Sequence, residues 1–368
     1  MDRIRPLSKQ DLPAVAALHL RAFCNDRSAP PPGMAEEFGR VFLENPWVRD
    51  DMPPLIYEGK DGSPVGFLGV VPRPMQFRGK RILVAVSTQL MVDPERGDAS
   101  AALQLGRAVF RGPQACYLAD EGSDKSVKLW RMLGGSIVPV FSLRWTKILR
   151  PLRFLLRPSE GSSSAARRLL SSAAAPFDAL LRRVGGPFRT RTSGLVGSEM
   201  DLPGFLASLA LSAQGAALSP VYDEATAAWI LAMARRKRCH GALRQRLLRE
   251  GGRVVGSYIY YLRRGSTAQV LFLHASEDRY LDALNHLCAD ALGQGAAAVS
   301  GRLDPRRLTE FSAAGCVLNR SYNWMQFHSR EPELELAVQS GDALLTRLEG
   351  EWWVAINSEE FPRPVEPD

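Results

Sequence analysis

The stretch STQLMVDPERGDASAALQLGRAVF, residues 87–110, carries the strongest indication of the fold. Its first part, up to Val92, predicts a strand, and its last part, AALQLGRAVF, predicts an amphipathic helix. The turn between them is rich in small residues. Main-chain N–H groups at a helix start are unsatisfied and carry partial positive charge, and small side chains let a phosphate approach them. The stretch therefore predicts an anion site, with an ordinary corner of small packing residues as the alternative.

The residues around this stretch predict a mixed α/β unit. Upstream we expect a short strand, two helices and three strands in series, at residues 4–7, 11–23, 34–43, 54–59, 65–75 and 81–92. Downstream we expect a strand at 115–119 and a helix at 123–133 that is stopped by Gly134-Gly135. Two strand-like runs, 136–143 and 144–149, then close the unit.

This order of elements, together with the run from Val92 to Ala101, resembles the GNAT superfamily of N-acetyltransferases. The cofactor motif of that family is R/Q-x-x-G-x-G/A after the fourth strand. Here Arg96 takes the first position, Ala99 replaces the usual glycine and Ala101 fits the last position. The resemblance covers residues 2–147 at the level of motifs. It implies an acyl-CoA site, with acetyl-CoA as the co-substrate, formed by Leu90, Met91, Val92, Arg96, Gly97, Asp98, Ala99, Ser100 and Ala101.

In this resemblance the amides from Gly97 to Ala101 hold the pyrophosphate, and the strand Leu90 to Val92 pairs with the pantetheine arm beside a bulge. The run WRMLGG resembles the Y-x-x-x-G-F helix end of the family, so Trp130 stands where many members have a tyrosine that protonates the departing thiolate. Indole has no useful acidity. Either another residue or a water supplies that proton, or this half binds CoA without efficient turnover.

The candidate catalytic residues are Glu58 at the end of the second strand, and Asp120 and Tyr117 on or after the fifth. Asp93 and Glu121 are further carboxylates near the strand ends. A solvated loop charge or a helix cap remains the alternative for each carboxylate. On the fourth strand Ser87 and Gln89 alternate with Thr88, so we expect one of these two faces to line the acceptor site.

The second half repeats the order of the first, which suggests a duplicated domain. The expected elements are a helix, a hairpin turning at Gly251-Gly252, a strand, a helix, a strand, a helix and a terminal strand, at residues 222–235, 243–265, 267–275, 278–292, 296–301, 305–314 and 321–329. The turn after 267–275 has Glu277 and Asp278 where a pyrophosphate would bind. Their negative charges repel a pyrophosphate and disfavour its binding. We therefore expect one CoA site per chain, in residues 80–135, and we expect residues 200–330 to form a wall of the acceptor site.

Two features of this half leave alternatives open. His274 is either a base that reaches across the domain interface or a hydrogen-bonded histidine at a strand end. Trp352-Trp353 is either an acceptor platform or part of a closing strand packed on the core.

The fold class that follows is α/β (α+β), with two GNAT-like domains, each a mixed, mostly antiparallel sheet flanked by helices. Length suits two domains of roughly 150 residues. We expect an N-terminal domain at 1–150, a basic Ser/Ala/Arg-rich linker or helical insert at 151–198, and a degenerate C-terminal domain at 199–368. Short amphipathic helices are predicted within the linker at 165–174 and 177–184. A basic membrane-surface helix is the alternative for this segment.

Composition excludes several classes of protein. Hydrophobic residues make up 45% and charged residues 23%, as in ordinary globular proteins. No run approaches the ~20 apolar residues of a membrane span, and the N-terminus has no signal-peptide pattern. The five cysteines are scattered without metal-ligand spacing, so we expect a cytoplasmic protein without a metal. The net charge of +8 suits an anionic ligand.

The predicted function is transfer of an acyl group, with acetyl as the first choice, from acyl-CoA to a primary amine by direct attack in a ternary complex. The acceptor is a small-molecule, sugar or peptide amine, and we expect no nucleic-acid partner. Two alternatives stay open: a non-catalytic acyl-CoA-binding scaffold, and a FemAB-like aminoacyl transferase. The sequence does not specify the oligomeric state.

Overall fold

The computed structural model describes residues 3–156, 177–178, 188–212, 215–320 and 323–361. Its strands form two mixed, mostly antiparallel sheets with helices packed against them, which confirms the predicted fold class. No helix in the described part of the chain is long and apolar enough to cross a membrane.

The first sheet has the strand order β1-β2-β3-β4-β5-β15-β6, and β9 pairs with the far end of β3. Its strands are β1 (Arg3–Pro6), β2 (Leu55–Glu58), β3 (Pro64–Phe77), β4 (Lys80–Val92), β5 (Cys116–Gly122), β6 (Ser136–Ile137), β9 (Leu218–Pro220) and β15 (Trp324–Ser329). Positive φ angles at Arg78 and Gly79 let β3 turn directly into β4.

The second sheet has the order β14-β7-β13-β12-β11-β10-β8. Its strands are β7 (Leu143–Ile148), β8 (Val196–Glu199), β10 (Ala242–Glu250), β11 (Arg253–Leu262), β12 (Thr267–Ala275), β13 (Ala298–Arg302) and β14 (Val317–Arg320). Gly251 and Gly252 both have positive φ at the β10–β11 turn, as the predicted hairpin requires.

The helices are α1 (Leu12–Cys24), α2 (Met34–Phe42), α3 (Ala99–Phe110), α4 (Asp124–Met132), α5 (Pro151–Leu155), α6 (Leu202–Ser212), α7 (Glu224–Arg236), α8 (Tyr280–Gly293), α9 (Leu308–Ala313) and α10 (Pro332–Gln339). One large core cluster joins residues of α1, α2, α6 and α7 with both sheets. The two halves therefore share buried apolar surface, which favours keeping them docked.

The two halves exchange strands, and here the sequence-based prediction was wrong. Run 144–149 does not close the first sheet, because β7 pairs with β13 and β14 in the second. Run 321–329 does not end the second sheet, because β15 pairs with β5 and β6 in the first. Trp145 is buried against the second sheet and stacks on Phe311 with ring centroids 5.0 Å apart. Phe327 is buried in a hydrophobic cluster that contains residues of the first sheet. Alternating burial specifies a strand but not its partners.

Other predicted elements differ in extent. Run 136–143 gives only the two-residue β6, because Pro139 lacks the N–H needed to continue a ladder. Residues 352–353 lie in turns, not in a strand, and 305–314 is a 3₁₀ turn followed by the short α9. The two helices predicted in the linker lie almost entirely outside the described residues. These include none of residues 165–174 and only residues 177–178 of 177–184. Sequence reasoning missed α5, α6, α10, β8, β9 and β14.

The domain boundaries at 150 and 199 stay a prediction. The strand exchange means that residues on each side of these boundaries complete the sheet of the other side.

Candidate active site

A cleft of about 280 Å³ opens where β4 and β5 diverge. These strands pair in parallel only from Val84–Val86 against Cys116–Leu118, so their carboxyl ends separate. The walls come from β4, β5, α3 and α4, and from the C-terminal segment through Glu351 and Ala355. An apolar-walled gap between parallel strand ends is a common position for a ligand site.

A bulge at Gln89 shapes one wall of the cleft. The pairing of β3 with β4 shifts register between Phe67 and Gly69, and Gln89 has a φ of 58°. Its side-chain oxygen lies 2.7 Å from His19 Nδ1, and its amide nitrogen donates to the Ile356 carbonyl at 3.3 Å. This bulge agrees with the one that the family resemblance implied beside the cofactor strand.

The bulge also changes which residues of β4 face the cleft. Ser87, Thr88, Gln89 and Leu90 all line it. We expected Ser87 and Gln89 to face away from Thr88, but the extra residue at a bulge breaks the strict alternation of a strand.

Two carboxyl groups line the cleft, the buried Glu351 and the partly buried Glu121. The Glu121 main-chain N–H donates to Glu351 Oε1 at 3.1 Å, and both residues line the cavity. Burial, followed by the negative charge of Asp120, raises the pKa of Glu351 to about 8. The same two causes, in the same order, raise the pKa of Glu121. A carboxyl group whose pKa lies near neutrality is suited to accept and return a proton.

Asp120, a predicted catalytic residue, lies behind this pair. Its Oδ1 accepts the Glu351 main-chain N–H at 2.6 Å, and its Oδ2 forms a buried ion pair with Arg302 of β13. With both oxygens engaged, Asp120 is placed to position Glu351.

Tyr117 and Glu58, the other two predicted catalytic residues, have different surroundings. Tyr117 lines the cleft, and its ring lies 4.7 Å from that of Trp130. Burial raises the pKa of its hydroxyl well above the ordinary value, so the group keeps its proton. Glu58 is ion-paired with Arg5, which also pairs with Asp11 at 2.7 Å. Glu58 is not among the residues that line the cleft.

Sequence reasoning missed Glu351 as a functional residue. The only indication in the sequence is an acid directly before Trp352-Trp353, where Trp353 is fully buried.

Trp352 stacks on His240 with ring centroids 4.2 Å apart and lies below the Arg347 guanidinium, so it packs between side chains.

The turn that the resemblance assigns to pyrophosphate is occupied by the chain's own oxygens. Asp98 Oδ1 accepts from the N–H groups of Ser100 and Ala101 at 2.9 and 3.1 Å. The Gly97 N–H donates to the Asp93 carbonyl at 2.9 Å. Hydrogen bonds from Ser100 and Ala101 lower the pKa of Asp98, which therefore carries its charge where a phosphate would sit.

The rest of the motif is engaged in local packing. Arg96 donates to Asp61 at 2.5 Å and to Ser63 at 2.7 Å, across the β2–β3 turn. A Cβ at Gly97 would lie 2.4 Å from Val92 Cγ1, so the turn requires glycine there. Of the predicted cofactor strand, Leu90 lines the cleft and Met91 is buried in the core.

The WRMLGG run holds the exchanged strand in place. Trp130 Nε1 donates to the Phe327 carbonyl of β15 at 3.0 Å. A Cβ at Gly135 would lie 2.0 Å from the same indole nitrogen, so the second glycine is needed for this close approach. Trp130 therefore has a structural role at the position of the family's tyrosine.

The equivalent gap in the second sheet is filled. Strands β12 and β13 pair in parallel only over Thr267–Gln269 and Ala298–Ser300 and then diverge. Residues 344–347 enter this gap, where Arg347 Nη1 donates to Gln269 Oε1 at 2.9 Å. The cavity that remains measures about 20 Å³, room for about one water.

Within the described residues no cluster of His, Cys, Asp or Glu has the arrangement of a metal site. No protein-family model matches the sequence, and no curated protein sequence matches it.

Solved structures, in contrast, match over most of the chain. A probable N-acyltransferase from Enterococcus faecalis V583 matches 89% of this chain and 73% of its own, at 12% identity and a TM-score of 0.59. A GCN5-related N-acetyltransferase from Anabaena variabilis covers 89% and 72%, also at 12% identity and 0.59. Another, from Kribbella flavida, covers 89% and 70% at 18% identity and 0.50. At these identities the similarity shows the fold: the chain has the GNAT N-acyltransferase fold in a tandem arrangement.

Proposed function

We propose that this protein is an N-acyltransferase that transfers an acyl group, acetyl as the first choice, from acyl-CoA to a primary amine. The observation that carries the proposal is the cleft between β4 and β5 with the Glu121–Glu351 pair at its wall. The cleft lies beside the bulge at Gln89, and the family resemblance implies that the strand Leu90 to Val92 next to this bulge pairs with the pantetheine arm.

In the proposed reaction the neutral amine attacks the thioester carbonyl carbon, a C–N bond forms and the C–S bond breaks. The proton lost by nitrogen passes to the ionised carboxylate of Glu351, which then returns it to the leaving CoA thiolate, so that one proton moves from nitrogen to sulfur and the carboxylate is restored. Holding both reactants in one cleft supplies much of the acceleration. Tyr117, which keeps its proton, serves as a hydrogen-bond donor to the reacting groups.

Trp130 favours a second candidate, the non-catalytic acyl-CoA-binding scaffold. Its indole N–H is engaged by the Phe327 carbonyl and has no useful acidity, so it cannot protonate a leaving thiolate. An enzyme and a scaffold both bind CoA, but only the enzyme releases free thiol in proportion to added amine.

Binding is tested by calorimetry with acetyl-CoA on the wild-type chain and on Leu129→Trp. Leu129 of α4 lines the cleft, so the larger ring should block it and abolish binding. Lys128→Trp adds the same ring at the exposed neighbouring position and is the matched control. Binding that survives Leu129→Trp, or no binding by the wild type at millimolar acetyl-CoA, overturns the proposal.

A further inference from the structure

A second, larger cavity lies in the other half of the molecule. It measures about 530 Å³ and opens at the carboxyl end of β12, between that strand and the loop that follows β13. None of its lining residues belongs to the candidate active site. Its volume is within the range of about 300–1,000 Å³ usual for small-molecule sites.

His274 forms part of the inner wall, and one of its ring nitrogens is unused. Only 5% of this residue is exposed, and Nε2 has no hydrogen-bond partner among the described residues. The ring's hydrogen bond to the Leu211 main chain therefore uses Nδ1, which leaves Nε2 as a buried acceptor on a residue that lines the cavity. Burial lowers the pKa of His274 to about 4, so the ring is neutral. The sequence left open a base or a hydrogen-bonded histidine here, and the ring has one bonded and one unpartnered nitrogen.

A buried polar atom without a partner costs about 1–3 kcal/mol. Ser276, two residues further along the chain, also lines the cavity, and a hydrogen bond from its side chain lowers the pKa of the neighbouring Asp278. Together His274 and Ser276 offer an acceptor and a hydroxyl to a ligand that carries hydroxyl groups of its own.

Two arginines supply positive charge to the same wall. Arg306 is held by Asp304 through two bonds of 3.0 and 2.8 Å. Arg307 lies over the Tyr280 ring at 5.2 Å and bonds to Glu310 at 3.4 Å. Asp304, Tyr280 and Glu310 do not line the cavity, whereas Glu277, which does, lies 3.8 Å from Arg307 Nη1. Guanidinium groups fixed in this way are suited to bind a carboxylate or phosphate.

The acidic residues on the lining belong to its rim. Glu277 is 91% exposed in its side chain, and Asp342 is also exposed. Water screens their charge, whereas the arginines on the inner wall are mostly buried, at 19% and 14% exposure. The inner wall therefore favours an anion.

We propose that this cavity binds a small hydroxylated organic anion, of the sugar phosphate or sugar acid type. The anionic group lies against Arg306 and Arg307, and a hydroxyl donates to His274 Nε2. This site is separate from the proposed acyl transfer and does not depend on it.

The test is calorimetry on the full chain with glucose 6-phosphate, glucuronate, inorganic phosphate and neutral glucose. We expect one of the two hydroxylated anions to bind at least about tenfold more tightly than glucose and phosphate, because one charge-assisted hydrogen bond accounts for about that factor. The two anions distinguish a phosphate site from a carboxylate site. If neither binds more tightly than glucose, the proposal is wrong.

Variants then locate the site. Arg307→Gln should weaken binding about tenfold, and Ser276→Ala should weaken it less. Arg264→Gln, an exposed arginine at the opposite end of β12, is the matched control and should have no effect. The melting temperature of each variant shows whether it is folded. Two results would place the anion elsewhere and overturn the proposal. One is unchanged binding in folded Arg307→Gln and Ser276→Ala, and the other is loss of binding in Leu129→Trp.

Discussion

The main-chain N–H of Glu351 donates a 2.6 Å hydrogen bond to Oδ1 of Asp120. This bond fixes the C-terminal segment on β5 of the first sheet. Asp120 is held in turn by Arg302 of the second sheet. One buried aspartate thus joins both halves to the residue that we propose as the proton acceptor.

Glu351→Gln should lower the rate of acyl transfer about 10²–10⁴-fold, the usual contribution of a general base. A base acts in its ionised form, and the pKa of Glu351 is raised to about 8. The wild-type kcat/KM should therefore rise with pH and level off above about 8.

The measurement is the pH profile of both proteins with an aromatic amine acceptor, which is neutral throughout this range. In Glu351→Gln the rise near pH 8 should be absent. Glu359→Gln, at an exposed position, is the control. An unchanged profile in Glu351→Gln would mean that another group takes the proton.

Asp98→Asn should strengthen the binding of CoA. Asparagine caps a helix as well as aspartate does, so the turn keeps its hydrogen bonds while the charge that competes with pyrophosphate is removed. Charges near a helix start are worth about 0.3–1 kcal/mol, which corresponds to about two- to fivefold in affinity. Calorimetry with CoA measures this change, and Glu95→Gln, which removes a nearby exposed acid, is the control. Weaker binding in Asp98→Asn would show that the carboxylate assists the ligand.

Trp130→Phe should lower the free energy of unfolding by about 1–3 kcal/mol, because the buried Phe327 carbonyl loses its indole donor. Urea denaturation measures the loss. The matched control is Trp324→Phe, which removes an indole N–H from a largely exposed bond to Asp124 and should change stability by less than about 0.5 kcal/mol. Equal losses in the two variants would contradict the structural role of Trp130.

Titration with CoA should give one site per chain. Between the diverging strands β12 and β13, Arg347 and its neighbours leave a cavity of only about 20 Å³, and the larger cavity beside His274 shares no lining residue with this gap. The sequence-based argument rested on the charges of Glu277 and Asp278, and the filled gap adds a steric reason. A stoichiometry of two, or CoA bound against residues 276–280, would contradict this.

Much of the fold follows from local pattern. The apolar run in 81–92, the small-residue turn and the helix after it specify β4 and α3, and paired glycines specify the β10–β11 hairpin. Strand exchange between the halves was not predictable in this way, because Trp145 and Phe327 are apolar strand residues that would be buried equally well in either sheet.

The candidate site was less predictable than the fold. Tyr117 and Leu90 line the cleft as residues of the strands that resemble the family's site. Glu351 is 230 positions from Glu121, and only tertiary packing brings them together. Asp98 was predicted by analogy to present its amide to a ligand, but an aspartate before a helix is also a good cap for the amides that follow.

The most direct test of acyl transfer is release of free CoA thiol from acetyl-CoA across a panel of small-molecule, sugar and peptide amines. The account predicts release that depends on one of these amines, saturates with it, and falls at least about 100-fold in Glu351→Gln. No amine-dependent release by a wild-type chain that binds acetyl-CoA would contradict it and leave the scaffold as the better description.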